Sequence, residues 1–387
     1  MTVPVLAQAL RLMRQLVAFE TESYKTNLPL IDFVRDYLGG LGVPFVIVPN
    51  AAGDKAALFA TIGPMRDGGV VLSGHTDVVP VTGQAWSSDP FALVERNQRL
   101  YGRGSCDMKG FAAIALAMVP EFLASRLQAP VHLLLSYDEE TTCLGPVETI
   151  ARMGVDLPRP RAIIVGEPTM MQVANSQKSI ATYITTVHGH EAHSAKPALG
   201  ANAIEHACDL VRELYRLDAQ LAGMGDPSGR YDPAQSTISV GTIHGGTARN
   251  ILAKQCAFHW EFRGLPGVAQ NWAVSRLDDY AASRVLPRLT RHAPAACIET
   301  VTEIEIPGLA AEPDSLAESL AFRLAQTNQS IAVAFATEAG RFQQAGLSTI
   351  VCGPGSIDQA HQPDEYIALS QVEAGIAFMR RLAAELG

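Results

Sequence analysis

No CxxC pair occurs in this sequence, and its six cysteines (Cys106, Cys143, Cys208, Cys256, Cys297 and Cys352) are widely scattered. That spacing argues against a thiolate zinc site or a dithiol redox motif. It fits reduced thiols packed as small core residues in a cytosolic protein. Excess positive charge is also missing: 30 Lys and Arg stand against 39 Asp and Glu, a net charge of −9. Nucleic acid is therefore not an expected partner, because phosphate binding needs clustered cations. A small anionic substrate stays possible, since one arginine can hold it. Long hydrophobic runs are absent as well. The apolar stretch from Phe111 to Val119 stops at Pro120, far short of the roughly 20 residues that span a bilayer. Near the N-terminus Arg11 and Arg14 interrupt the only apolar stretch, so no secretory layout is read there. A soluble, cytoplasmic protein with no membrane partner is expected.

What is present is material for a core. Hydrophobic residues make up 48% of the 387 positions and charged residues 18%, which speaks against disorder and suits two domains. Amphipathic periodicity predicts helices over 5–19 and 28–38, the second stopped by Gly39 and Gly40. Short apolar runs then alternate with helical stretches, the pattern of an α/β sheet. Four of these runs lead into loops rich in His, Asp or Glu. Val70-Val71-Leu72 precedes Gly74-His75-Thr76-Asp77, and the run from Val131 to Leu135 precedes Asp138-Glu139-Glu140. Ile163-Ile164-Val165 precedes Gly166-Glu167-Pro168, and the run from Thr349 to Cys352 leads through Gly353-Pro354-Gly355 toward His361. In open α/β sheets ligands bind beyond the carboxyl ends of the strands, so these loops could meet there. A glycine-containing loop from Arg103 to Gly110 adds Asp107 before a small-residue helix; it has neither phosphate-binding glycine spacing.

The middle of the chain has another rhythm. Strands are expected over 180–187, 236–243, 251–263 and 297–306, with helices over 201–217 and 268–285. That βαββαβ order is the ferredoxin-like split unit. The expected organisation is an α/β doubly wound domain, residues 1–179 and 307–387, interrupted by an inserted domain over 180–306. Ser370 and Glu373 read as a capping box opening a C-terminal helix.

Divalent metals of hard or borderline character take imidazole and carboxylate ligands, and a pair of them needs a carboxylate that can bridge. His75, Asp107, Glu140, Glu167 and His361 supply such groups from separate loops. Together with their neighbours they resemble a dinuclear zinc family that contains acetylornithine deacetylase, succinyl-diaminopimelate desuccinylase, aminoacylases and a glutamate-releasing carboxypeptidase. The resemblance runs over nearly the whole chain. It is carried by the stretches 73–80, 102–110, 138–140, 166–169 and 189–194, and by 353–366 with its Ala360-His361-Gln362-Pro363-Asp364-Glu365-Tyr366.

The resemblance implies a zinc-peptidase-like catalytic domain with an inserted lid and dimerisation domain, and a homodimer. It implies two divalent ions, zinc in the family, with cobalt or manganese compatible. Asp107 would bridge them, His75 and Glu167 would complete one site, and Glu140 and His361 the other. Asp77 would orient His75, and Glu139 would be the general base. Adjacent glutamates can divide these duties only in an irregular loop, since neighbours on a helix or strand diverge. In the inserted segment, His193 would donate to the tetrahedral oxyanion, Arg263 would hold the substrate carboxylate, and Asn250 would lie near the same site. His188 and His190 read as surface residues, and Arg249 as a second choice for the carboxylate. Many relatives have proline where this chain has Ala253.

Within the family, Thr337-Glu338-Ala339-Gly340 matches the acetylornithine-type members, and Glu338 is the candidate for holding a cationic δ-ammonium. Removal of acetate from N-acetylornithine, a step of arginine biosynthesis, is therefore expected, the substrate being a small N-acyl amino acid. Acetylcitrulline deacetylase, desuccinylase and metallo-dipeptidase or carboxypeptidase activities are the alternatives, and a non-catalytic metal-binding scaffold is the reading outside enzymes. An intact Glu139 speaks against the scaffold.

Overall fold

The computed structural model describes residues 4–387. They divide into two compact units, one of residues 4–176, 311–332 and 337–387, the other of 177–310 with 333–336. The first is built on an eight-stranded sheet. Its order is Phe45–Pro49, Ala56–Ile62, Val131–Ser136, Val70–His75, Ala162–Pro168, Thr349–Gly353, Val173–Gln177 and Ser330–Val333. The third to sixth strands are mutually parallel, and they are the four apolar runs that lead into the acidic and histidine loops. Each is buried throughout its length, as parallel strands covered on both faces must be. Helices Val5–Val17, Lys109–Ala124 and Leu369–Leu386 pack on one another, and the middle one also touches the His75 strand. That middle helix is buried nearly all round, its alanines permitting close approach.

Two local expectations in this unit need correcting. The second helix runs through Gly39 and Gly40, as Leu28–Gly40, and the left-handed residue beyond it is Gly42, at φ +71°. Glycine weakens a helix but ends it only where positive φ is required. Ser370 caps nothing: the strand Tyr366–Ala368 runs directly into the last helix, whose N-cap is Ala368 with no side-chain bond.

The second unit is a four-stranded antiparallel sheet ordered Thr237–Gly245, Gln255–Gly264, Ser179–His188 and Cys297–Ile306. Helix Ala203–Leu221 follows its first strand in sequence, and helix Trp272–Tyr280 precedes its last. The chain order is thus βαββαβ. Alternate residues of Ser179–His188 are buried, and Tyr183, Phe258, Trp260 and Phe262 pack with Leu210, Leu214 and Leu217 of the long helix. The strand expected from 251 starts only at Gln255, because Ile251 instead bridges His193. No helix among the described residues is long and apolar enough to cross a membrane.

One core residue makes the first unit sensitive to acid. His132 is stacked on Phe59 at 5.0 Å, its Nδ1 lies 3.0 Å from the Thr61 hydroxyl, and its Nε2 is buried without a partner. Burial pushes its pKa down from 6.5 to about 4. The unfolded chain therefore binds the proton first, and stability present above pH 6.5 drains away as the pH falls toward 4. The full difference corresponds to about 3 kcal/mol. Urea midpoints measured across this window should fall more steeply in the wild type than in His132→Leu; parallel curves would dismiss His132 as the source.

Candidate active site

The carboxyl edge of the parallel strands gathers the predicted ligands. His75 ends its strand and is fully buried. Its Nδ1 donates to the backbone oxygen of Asp77 at 2.9 Å, so Nε2 is the nitrogen turned toward the other groups. That Nε2 lies 3.1 Å from Asp107 Oδ1, 3.6 Å from Glu167 Oε1 and 3.8 Å from Glu139 Oε2. His361 Nε2 lies 2.9 Å from Glu140 Oε2 and 3.3 Å from Asp107 Oδ2. The two oxygens of Asp107 therefore face two different histidines. His361 is the member open to solvent, its side chain 52% exposed.

The backbone explains why residues so far apart in sequence can converge. Glu167 is delivered by a strand whose preceding Gly166 leaves room for the Phe111 ring; a Cβ at Gly166 would stand 2.3 Å from it. Asp138, at φ +56°, accepts from the N–H groups of both Thr142 and Cys143. The chain at Glu139 and Glu140 is thus a tight turn, the irregular loop that adjacent glutamates need to share one site. Asp77 ties this turn to the His75 strand. Its Oδ1 accepts from the Glu139 N–H at 3.1 Å, while Oδ2 accepts from the Ser23 hydroxyl at 2.7 Å and the Glu140 N–H at 3.3 Å.

Electrostatics in this pocket are extreme. Burial pushes the Glu139 carboxyl well up, and Glu140 and Asp107 beside it add to the effect. Burial and the neighbouring Glu139 and Asp107 do the same to Glu167. Burial and Asp107 raise Glu140 to about 7. The hydrogen bonds to Asp107 and Glu140 lift His361 to about 10. For His75 burial acts downward, but Asp107, Asp77, Glu167 and Glu139 outweigh it and hold the imidazole protonated well above its ordinary range. Among the described residues no Lys or Arg is ion-paired with Asp107, Glu139, Glu140 or Glu167. Glu167 Oε1 is buried with no hydrogen-bond partner, and a carboxylate oxygen left so is costly unless a cation answers it. Imidazole and carboxylate donors, one orphaned oxygen and a carboxylate facing both ways fit a pair of divalent cations.

Two supporting residues lay inside the quoted motifs but were given no role from sequence. Glu365 is buried; its Oε1 accepts from the N–H groups of Cys106 and Asp107 at 2.9 and 3.1 Å, and Oε2 takes Arg103 Nη1 at 2.7 Å. Arg103, also buried, reaches Gln84 and lies over the Trp86 ring. The pair joins the loop before Asp107 to the segment after His361. A charged residue four positions past a histidine and another four before an aspartate are the only signals available, and neither shows a pattern alone.

The remaining predicted residues fall elsewhere. In the second unit the His193 segment bridges the 250–251 segment: Ser194 N–H donates to the Asn250 carbonyl at 3.0 Å. His193 is exposed, with Nδ1 accepting from the Ala195 N–H. Arg263 is half-buried, and its Nε donates to Glu261 at 3.0 Å. His188 is half-exposed and His190 and Arg249 are exposed. Glu338, expected beside the substrate's ammonium, is instead fully buried in the first unit, with both oxygens engaged by serine hydroxyls. All six cysteines are free thiols; Cys106, Cys143, Cys256 and Cys352 are buried, Cys297 partly so, and Cys208 exposed.

Converging carboxylates and imidazoles at the carboxyl edge of a doubly wound sheet define the class of metal-dependent hydrolases. Comparison with known proteins agrees. The family model described as "Peptidase family M20/M25/M40" matches residues 71–385, and the chain belongs to that family. It is 34% identical over 385 residues to acetylornithine deacetylase of Proteus mirabilis (strain HI4320), covering 96% of this chain and 95% of that protein. Aminopeptidase PepT of Bacillus cereus superposes with a TM-score of 0.78 at 16% identity, covering 98% of both chains. A dinuclear metal binding peptidase of the M20 family from Bacillus subtilis gives 0.69 at 14% identity, covering 99% of this chain and 98% of that one. Those two likenesses concern the fold, a catalytic domain with an inserted domain.

Elemental analysis of the purified protein should find two divalent ions per chain. Asp107→Ala should lose metal, because the carboxylate facing both histidines is gone, whereas Glu139→Gln should keep its full complement. An unchanged stoichiometry in Asp107→Ala would remove the bridging assignment.

Proposed function

We propose that this metallo-hydrolase removes acetate from N-acetyl-L-ornithine, releasing L-ornithine as in arginine biosynthesis. The observation that carries the hydrolytic reading is the Asp107 carboxylate, with one oxygen toward His75 and the other toward His361. The choice of substrate is supported by the 34% identity to acetylornithine deacetylase along almost the whole of both chains.

In this reading Asp107 would be shared by two divalent ions, with His75 and Glu167 as the further residues that would hold one and Glu140 and His361 those that would hold the other. Zinc suits the donor set, and cobalt or manganese would serve. Such ions polarise an amide carbonyl and make water nucleophilic at neutral pH. Glu139 is the proton carrier: it takes a proton from the attacking water and delivers it to the nitrogen as the C–N bond breaks. Asp77 fixes the His75 tautomer through its backbone oxygen and holds the Glu139–Glu140 turn through its carboxylate. His193 is the proposed oxyanion donor. Arg263, once released from Glu261, takes the α-carboxylate, with Asn250 near the same substrate end. A cytoplasmic homodimer completes the proposal.

An acetyl group offers little to recognise, so discrimination must come from the amino-acid half. N-acetylornithine should be hydrolysed with a higher kcat/KM than N-acetylnorvaline, which lacks only the terminal amine. Equal values would leave a less selective N-acyl-amino-acid deacylase. Arg263→Ala should lower kcat/KM about ten- to hundredfold on both substrates, the loss of a charge-assisted bond. Glu139→Gln should abolish most turnover while the fold persists; near wild-type kcat would refute its role as base.

His193→Ala separates transition-state stabilisation from binding. If the imidazole meets the oxyanion, kcat falls more than KM rises. A change confined to KM would make His193 a substrate-holding residue only.

A further inference from the structure

Glu338 is a buried carboxylate outside the candidate ligand set, and the proposed reaction gives it no task. It stands at the N-terminus of the short helix Ala339–Gln344 without capping it. Its Oε1 accepts from the Ser73 hydroxyl at 2.5 Å and its Oε2 from the Ser136 hydroxyl at 2.7 Å. Neither oxygen is left facing solvent, since the residue is 0% exposed.

The two serines belong to neighbouring parallel strands, Val70–His75 and Val131–Ser136. Ser73 is aligned with Leu134, and His75 with Ser136, which is the last pair of that ladder. Side chains two apart on a strand share a face, so Ser73, His75 and Ser136 leave the sheet on one side, where Glu338 meets both hydroxyls. Past the last rung each chain turns off toward the candidate ligands: Ser136 is three residues before Glu139 and four before Glu140, and Ser73 is two before His75.

A buried carboxylate is costly to desolvate, and apolar packing could fill the same space. What an apolar group cannot do is tie two strand ends together by directed bonds. We propose that Glu338 is a positioning residue: by accepting from Ser73 and Ser136 it fastens the ends of the two strands and so sets the separation of His75 from Glu139 and Glu140, without touching metal or substrate. This rests on reading His75 and Glu140 as metal ligands.

The experiment uses zinc-loaded full-length protein and the variants Glu338→Gln, Ser73→Ala and Ser136→Ala. Zinc affinity is measured by competition with a chromogenic chelator, and kcat and KM on N-acetylornithine and N-acetylnorvaline. Glu338→Gln should weaken zinc binding about tenfold or more, the scale typical of groups that orient ligands. It should lower kcat, leave KM nearly unchanged, and keep the ratio of the two substrates as in the wild type. Each serine variant should reproduce part of the loss, and adding it to Glu338→Gln should give little more. Wild-type zinc affinity with only a lower melting temperature would reduce Glu338 to a packing residue and overturn the proposal. Collapse of the substrate ratio would overturn it in favour of contact with the ammonium. Should Glu338→Gln fail to fold, the serine variants, each missing one hydroxyl, decide the matter on the same affinities. A wild type that binds zinc but leaves N-acetylornithine intact would sink the substrate assignment alone, while one that binds no zinc would sink both the metal site and this proposal.

Discussion

Four carboxylates cannot stay ionised together in one buried pocket unless positive charge stands among them. Asp107, Glu139, Glu140 and Glu167 are in that position, and among the described residues the His75 and His361 imidazoles are the cationic groups paired with them. Much of the first unit serves this arrangement. The parallel strands supply it, because their carboxyl ends release the chain into loops at one common edge. Burial of Asp107, Glu139 and Glu167 lets these charges interact strongly.

Around these groups lies a layer of buried carboxylates whose oxygens are all hydrogen-bonded. Asp77 joins the His75 strand to the Glu139 turn. Glu365, neutralised by Arg103, carries the backbone of Cys106 and Asp107. Glu338 fastens two strands from beneath. Each burial is costly alone and tolerable because directed bonds replace the lost water. The contrast with the orphaned Glu167 oxygen is informative: the supporting layer leaves its carboxylates fully bonded, and the ligand layer does not.

The second unit follows simpler rules. Its sheet alternates buried and half-exposed residues along Ser179–His188, and its aromatic residues meet the apolar face of the Ala203–Leu221 helix. Its functional candidates lie off this regular part or at its end. His193 and Asn250 are on segments that bridge each other, and Arg263 occupies the penultimate position of a strand. The end of the strand Thr237–Gly245 from 241 onward and the chain after it to 251 are exposed throughout, as expected of chain that presents side chains rather than packs them.

Much of this was legible in the order of residues. Apolar runs ending in His75, Glu140 and Glu167, with Asp107 before an apolar helix, announce a parallel sheet with chemistry at one edge, because period and composition are local properties. The βαββαβ rhythm is local in the same way. The helix limit near Gly39 and Gly40 and the start of the last helix near Ser370 are not local in this sense, because backbone dihedrals and the preceding strand decide them. Glu338 is the clearest case. Its identity and neighbours in sequence suit a substrate contact equally well, and nothing local records that Ser73 and Ser136, 265 and 202 residues away, take both its oxygens. The sequence by itself determined which chemical groups the protein possesses and which strands deliver them. Only the tertiary structure decided which carboxylates converge on the candidate metal site and which are taken up by serine, arginine and backbone donors, because that depends on hydrogen-bond partners brought together by folding.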